Sequence, residues 1–326
     1  MTQITEPGLY PDISNEDYHA DPCPEPSLSS SLAKLMVNKT AAHARLAHPK
    51  LNPEYEPTNK AAFDLGSVAH SMMLHDERDI VVLDYDAYRT NAAKAERDEA
   101  RAKGKIPILV AQHEVACAMV RSGRAQLDRH EEAWEAFRKG YGQPEQTIIW
   151  RDGPENAPIW CRIRLDWKPN NGNVIWDYKT TGGSASPNDW VRTMLSTGAD
   201  VQEGFYTRGI KKQLRIEAPH FRFVVQETEP PYALAVHELD PFFSGVAFRK
   251  ADAAITSWAW CLKTGHWPGY VGRVHYLECP TWEANKWEDR NIEHDDQALL
   301  EMSLRWQAPD AATEEAAVNL FRGENK

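Results

Sequence analysis

The chain has 326 residues, 42% of them hydrophobic and 26% charged, which suits a soluble globular α/β chain with a sizeable core and excludes a largely disordered one. No stretch is long enough for a membrane span and no basic segment followed by an apolar run opens the chain, so no membrane contact and a cytoplasmic location are expected. Five scattered cysteines without a C-x-x-C pair argue against a disulfide framework, and a net charge of −11 argues against a generic nucleic-acid binder.

Taken in chain order, the first 27 residues are rich in Pro, Asp and Glu and read as an irregular arm. S-L-S-S-S-L-A-K-L-M then predicts a helix capped by Ser30 or Ser31 and carrying Leu32, Leu35 and Met36. A second helix follows in K-A-A-F-D-L-G-S-V-A-H-S-M-M-L-H, and a short strand in D-I-V-V-L-D. Residues 91–139 have a helical pattern broken by G-K-I-P. Three strands come next, E-Q-T-I-I-W, A-P-I-W-C-R-I-R-L-D-W and N-V-I-W-D-Y-K, and then one helix from about Trp190 to Gln213. Two further strands, F-R-F-V-V-Q and Y-A-L-A-V-H, precede a helix over Phe243 to Leu262. S-W-A-W-C-L-K-T-G-H-W-P-G-Y reads as core and closing turn. Residues 1–280 are expected to form one domain and 281–326 an acidic tail, which holds eleven acidic and five basic residues. No G-x-x-x-x-G-K-[ST] occurs, so a P-loop ATPase is not indicated.

The chemistry concentrates around Asn171-Gly172, a strong hairpin signal between two alternating runs. Centring the loop there pairs residues so that Asp166 lies opposite Asp177 on one sheet face, with Lys179 one step further. Opposed carboxylates about 5 Å apart at Cβ repel each other, and a divalent cation between them turns that repulsion into a ligand pair.

Asp166 and Asp177-Tyr178-Lys179 at this spacing resemble the PD-(D/E)xK nuclease core, with Leu165 standing where the pattern has Pro. Gly66-Ser67-Val68-Ala69-His70 and Gln202-Glu203-Gly204-Phe205-Tyr206 are similar to the G-x-x-x-H and Q-x-x-x-Y motifs of the RecB-nuclease-like branch, and they fall in that branch's order. Y-H-A-D with S-L-S-S-S-L, the segment T-N-A-A-K-A-E-R-D-E-A-R-A-K-G-K-I-P, and F-V-V-Q-E-T-E-P-P-Y resemble the RecE (exonuclease VIII) nucleases over roughly residues 10–270.

The resemblance implies a restriction-endonuclease-like α/β fold, a central mixed sheet flanked by helices. It implies a metal-dependent exonuclease that degrades linear double-stranded DNA from its ends, 5′-to-3′, for recombination by strand annealing. It further implies a ring-shaped homotetramer and a single-strand annealing protein as partner. Mg²⁺, or Mn²⁺ in its place, would be held by His70, Asp166, Asp177 and the backbone carbonyl of Tyr178. Lys179 would act on the attacking water, with Gln202 and Tyr206 positioning it and the strand. Glu145 stands where relatives often have Glu, and Arg162, Arg164, Arg208, Lys211 and Lys212 are candidate phosphate contacts. The closely spaced C-terminal cysteine trio of iron–sulfur relatives is missing, so no cluster is expected. Alternatives are a structure-specific endonuclease of the same fold and an inactive DNA-binding or scaffold protein.

Overall fold

Residues 3–56, 65–75 and 79–293 are described in a computed structural model of the chain. The acidic stretch L-L-E-M-S-L-R-W, expected to be helical, lies outside them. The chain divides into two units, Met1–Tyr270 and Val271–Lys326.

The N-terminal arm is more ordered than its composition suggests. It forms β1 (Gly8–Tyr10) and α1 (Asn15–His19), where the Ser14 side chain accepts a hydrogen bond from Asp17 N. The short strand β2 (Leu28–Ser29) runs straight into α2 (Ser30–Asn38), whose cap is Ser29 rather than the expected Ser30 or Ser31. α3 (Ala41–Leu46) is capped by Thr40, and α4 (Leu65–His75) carries the expected second helix. β3 (Ile80–Leu83) and β4 (Ile106–Leu109) pair in parallel and bracket α5 (Asn91–Ala102). G-K-I-P is therefore more than a helix break. Its apolar continuation finds a strand partner, and only then does α6 (Val110–Leu127) begin.

Three long strands follow, β5 (Gly142–Asp152), β6 (Ile159–Pro169) and β7 (Val174–Thr181). The single helix expected beyond them is two, α7 (Pro187–Thr197) and α8 (Ala199–Leu214), because Gly198 takes φ 72° between them. A left-handed residue ends one helix and re-aims the chain. β8 (His220–Glu227) and β9 (Leu234–Glu238) precede α9 (Pro241–Thr264), which starts at an Asp240 cap with Pro at its first turn. In the second unit the described residues include α10 (Thr281–Glu293).

The main sheet has seven strands in the order β1-β5-β6-β7-β8-β9, with β2 beside β6. It is mixed: β7 with β8 and β2 with β6 are parallel, and the other pairs are antiparallel. Helices cover both faces. On one, α2, α7, α8 and α9 bury Leu32, Trp190, Phe205 and Trp258 with Trp150, Ile163, Leu165 and Phe223 of the strands. On the other, α4 and α6 bury Met72, Met73 and Met119 with Trp167, Trp176, Tyr178 and Val224. Trp258 and Trp267 meet edge to face at 5.0 Å, so the tryptophan-rich segment closes this core, although Trp260 remains exposed.

α8 and α9 approach closely because Gly204 has no Cβ; one would overlap the backbone of Ala247. Beside it, Glu203 accepts from Ser244 Oγ at 3.1 Å, while its second carboxyl oxygen is buried without a partner. Burial pushes this carboxyl up to about 7. A raised folded value favours stability at low pH, and that contribution is lost as pH climbs from the ordinary glutamate range through 7. Glu203→Gln is therefore expected to stabilise the protein at pH 8, by on the order of 3 kcal/mol, and to change little at pH 4.5. Urea midpoints at the two pH values test this; equal shifts at both would contradict it.

Candidate active site

The expected hairpin register holds: Trp167 pairs with Trp176 across β6 and β7. The ladder does not continue to Asp166 and Asp177, and Trp167 with Trp176 is the one pair between these strands among the described residues. The Asp166 carboxylate instead accepts the Tyr178 backbone N–H at 2.9 Å, so a side chain takes the place of a strand partner. Higher up the same strand, β2 pairs with Cys161 and Arg162. Residues 163–166 thus lie between two different neighbours, at a fork in the sheet. Beyond the fork all eight residues of β7 pair with β8, which holds Asp177 and Lys179 rigidly.

Side chains from both helix layers converge on this fork. From α4, the His70 ring nitrogen Nε2 lies 3.1 Å from Asp166 Oδ2. From α8, Gln202 Nε2 donates to Asp177 Oδ1 at 2.6 Å. Tyr206, one turn later, donates from its hydroxyl to the Arg164 carbonyl at 2.8 Å and so fastens β6 just short of Asp166. Lys179 Nζ bonds Asp177 Oδ2. Asp177 is buried, and Asp166, Lys179 and His70 keep partial exposure.

The charges are strongly coupled. Burial raises the Asp177 carboxyl, the neighbouring Asp166 charge raises it further, and it stands at about 6. Burial also acts to raise Asp166, but His70, Lys179 and the Tyr178 N–H outweigh it and hold that carboxyl below its ordinary value. Burial alone would lower Lys179 and His70; the two aspartates reverse this for the lysine, and chiefly Asp166 does so for the histidine. The Asp166 and Asp177 charges are thus close enough to repel each other, as the sequence register requires.

One further residue joins the group. Lys34, on α2, donates to Gln202 Oε1 at 2.9 Å and so completes a chain Lys34–Gln202–Asp177–Lys179. Burial and the Lys179 charge push its ammonium down to about 8. Its place in the group is not encoded in any local motif. The available signal was a lysine in a helix whose neighbours Leu32, Ala33 and Leu35 are all apolar.

Glu145 stands across from Asp166 in the β5–β6 register but takes φ 50° and leaves the ladder. Its carboxylate meets Arg164 at 2.5 Å and His75 at 3.6 Å, so it supports the fork from the side. Most of the expected phosphate contacts are engaged elsewhere. Arg162 is buried against Asp21 and Ser27, and Arg164 is bound to Glu145. Arg208 and Lys212 both pair with buried Asp152, at 2.7 and 2.8 Å. Those four cations are neutralised by internal carboxylates, whereas Lys211 is exposed.

Among the described residues, no three His, Cys, Asp or Glu side chains form a ready metal shell. His70, Asp166 and Asp177 are neighbours, but Asp177 faces Lys179 and Gln202, and Asp166 faces His70 and the Tyr178 amide. The donor chemistry nevertheless fits a hard divalent cation, since the mutual repulsion of two ionised carboxylates is relieved by one. Lys179 would have to leave Asp177, and the His70 ring its contact with Asp166, for these groups to face it.

Residues 29–280 match the family described as a PDDEXK-like domain of unknown function (DUF3799). Among solved structures, the Eubacterium rectale protein named "Putative exonuclease" superposes with a TM-score of 0.52 at 14% identity, over 84% of this chain and 98% of its own. That likeness concerns the fold. SSO0001 (12% identity, 58% of this chain and 84% of that one, TM-score 0.25) and Rai1 of Scheffersomyces stipitis (11% identity, 69% and 68%, TM-score 0.23) are too dissimilar to carry an argument. No curated protein sequence matches.

Because Asp177 holds a proton up to about pH 6, cation binding here is expected to release one. Mn²⁺ affinity, followed by calorimetry without substrate, should rise about tenfold or more from pH 5 to 7. Asp177→Asn should lose the binding. Equal affinity at pH 5 and 7 would remove Asp177 from the ligand set.

Proposed function

The chain belongs to the PDDEXK-like family, and from that premise we propose that it is a divalent-cation-dependent DNA exonuclease that shortens linear duplexes from their ends. The observation that carries this reading is the forked sheet, where Asp166, Asp177 and Lys179 meet with Gln202 and Lys34 bracing them. An exonuclease is favoured over an endonuclease by the printed name of the Eubacterium rectale structure, which spans nearly the whole of its own chain in the superposition.

Two carboxylates, an imidazole and a backbone carbonyl are the groups that would hold the cation: Asp166, Asp177, His70 and the carbonyl of Tyr178. Mg²⁺ is the proposed ion, with Mn²⁺ able to replace it. When bound it would supply Lewis acidity toward the phosphate and acidify water. The chain's own residues do the rest. Lys179, released from Asp177, offers its ammonium to the attacking water or to a phosphate oxygen that gains charge in the transition state. Gln202 holds Asp177 in one rotamer, so the carboxylate stays aimed while Lys179 leaves it. Lys34 fixes the orientation of that amide by donating to its oxygen, leaving its NH₂ for Asp177. Tyr206 keeps β6 in register with the fork through the Arg164 carbonyl.

The finer reading is removal of the 5′-ended strand by a ring-shaped homotetramer that hands single strands to an annealing protein. It rests on the resemblance to RecE-type nucleases. Residues 1–280 would act as the exonuclease domain, with the acidic tail beyond it.

End-labelled linear duplex incubated with Mg²⁺ should lose label, and a closed circle of the same sequence should survive. Lys179→Ala should slow the loss about 10²- to 10³-fold, and Lys34→Met should slow it less, with the fold intact by circular dichroism. Cutting of the circle would favour an endonuclease. No metal-dependent loss, or equal loss with Lys179→Ala, would sink the proposal.

A further inference from the structure

A second recess lies on the α4 side of the sheet. Its volume is about 680 Å³, within the range of small-ligand pockets and far too small for a duplex. Its lining includes chain neighbours of residues at the fork. Trp167 follows Asp166, Pro144 precedes Glu145, and Met73 lies one helical turn after His70. The outer wall is the 130–141 segment, and this wall is pinned in place. Phe137 is buried edge to face against Trp167 and Tyr178, at 6.1 and 5.8 Å between ring centres. Asn170 ties the same segment to the hairpin, through bonds to the carbonyls of Tyr141 and Gly140 at 2.9 Å each.

The chemistry of this wall differs from the rest of the surface. Arg124, Arg138 and Lys139 line the cavity against one carboxylate, Asp128, in a chain whose net charge is −11. Arg138 and Lys139 form no ion pair with a described carboxylate, unlike the four cations neutralised around β6 and α8. The Arg138 guanidinium lies over the rings of Trp134 and Tyr141, at 5.6 and 5.7 Å from their centres, and both rings are more than a third exposed. The indole N–H of Trp167 has no hydrogen-bond partner, although this side chain is 3% exposed and lines the cavity. A buried donor without an acceptor is costly in water-excluded surroundings and points to a ligand that brings one.

Arg138 and Lys139 beside exposed aromatic faces, with a polar donor in the wall of a preformed recess, are what unpaired nucleotides require. Bases stack on rings or guanidinium planes, and phosphates meet the cations. We propose that this cavity binds an unpaired segment of a DNA strand whose neighbouring nucleotides occupy the fork. The base of a separated strand would stack at Trp134 and Arg138, its phosphate would reach Arg138 and Lys139, and a ring acceptor or phosphate oxygen would meet Trp167. A duplex end would have to open by a few nucleotides to fill both places. The link to the fork rests on the nuclease reading; binding in the cavity does not.

The test uses full-length protein in EDTA, so that nothing is cut, titrated with pentathymidylate by calorimetry and by tryptophan fluorescence. Wild-type protein is expected to bind. The double variant Arg138→Glu/Lys139→Glu is expected to bind at least tenfold more weakly, and its log affinity against log salt should be shallower by about 1.4, the value for two lost phosphate contacts on a single strand. Trp134→Ala should weaken binding about fivefold or more, and Trp134→Phe should keep most of it. The substituted side chains are exposed, and melting curves confirm that the variants fold. Failure of wild type to bind, or binding by the double variant within twofold of wild type, would overturn the proposal. Cleavage of linear duplex by wild type with Mg²⁺ is scored separately. Binding that depends on Arg138 without cleavage keeps the cavity and removes the nuclease; cleavage with binding indifferent to Arg138 does the reverse.

Discussion

The hydrogen bond from the Tyr178 amide to the Asp166 carboxylate is the contact on which the rest of the site depends. An antiparallel pair would ordinarily satisfy that amide with a carbonyl across the ladder. A carboxylate in its place lets β6 and β7 part after one described pair, while Tyr178 remains satisfied despite its burial. The fork also breaks the rule that a sheet separates its two helix layers. His70 from α4 and Gln202 from α8 lie on opposite sides of the sheet, yet both reach the aspartates.

Everything around the fork resists its closing in a wrong way. β2 occupies the upper edge of β6, and the Arg162 guanidinium below it is locked to Ser27 and Asp21, which are themselves bound to each other. Tyr206 holds β6 from the α8 side, and β8 holds β7 along its whole length. Two strands fixed independently, each by its own partners, can keep two like charges close. Burial raises the Asp177 carboxyl, and their repulsion adds to that rise without displacing a strand.

The same reasoning explains where positive charge remains available. Cations near the sheet are matched to buried carboxylates because an unpaired buried charge is severely penalised. Asp152 takes Arg208 and Lys212, Asp21 takes Arg162, and Glu145 takes Arg164. What is left for a polyanion lies on surfaces such as the 130–141 segment, where Arg138 rests on exposed rings and Lys139 is exposed.

The long strands of the hairpin, its register and the nearness of the Asp166 and Asp177 charges were legible in the sequence, because they follow from local alternation and from one Asn-Gly turn. His70, Gln202 and Tyr206 stood out through the resemblance to the G-x-x-x-H and Q-x-x-x-Y motifs, whose four-residue spacings put side chains on one helix face. Their roles at the fork were not legible in the alternation itself, because a two-residue periodicity carries no sign of a ladder that stops. Lys34 escaped notice because its partner Gln202 is 168 residues away, and no local pattern encodes that meeting. Arg162, Arg208 and Lys212 looked free for the same reason: their carboxylate partners come from other elements. Local spacing determined which residues could share a face. Only the tertiary structure decided which charges were neutralised, which helix layers met, and where the sheet opened, since each of those depends on groups brought together across the chain by packing.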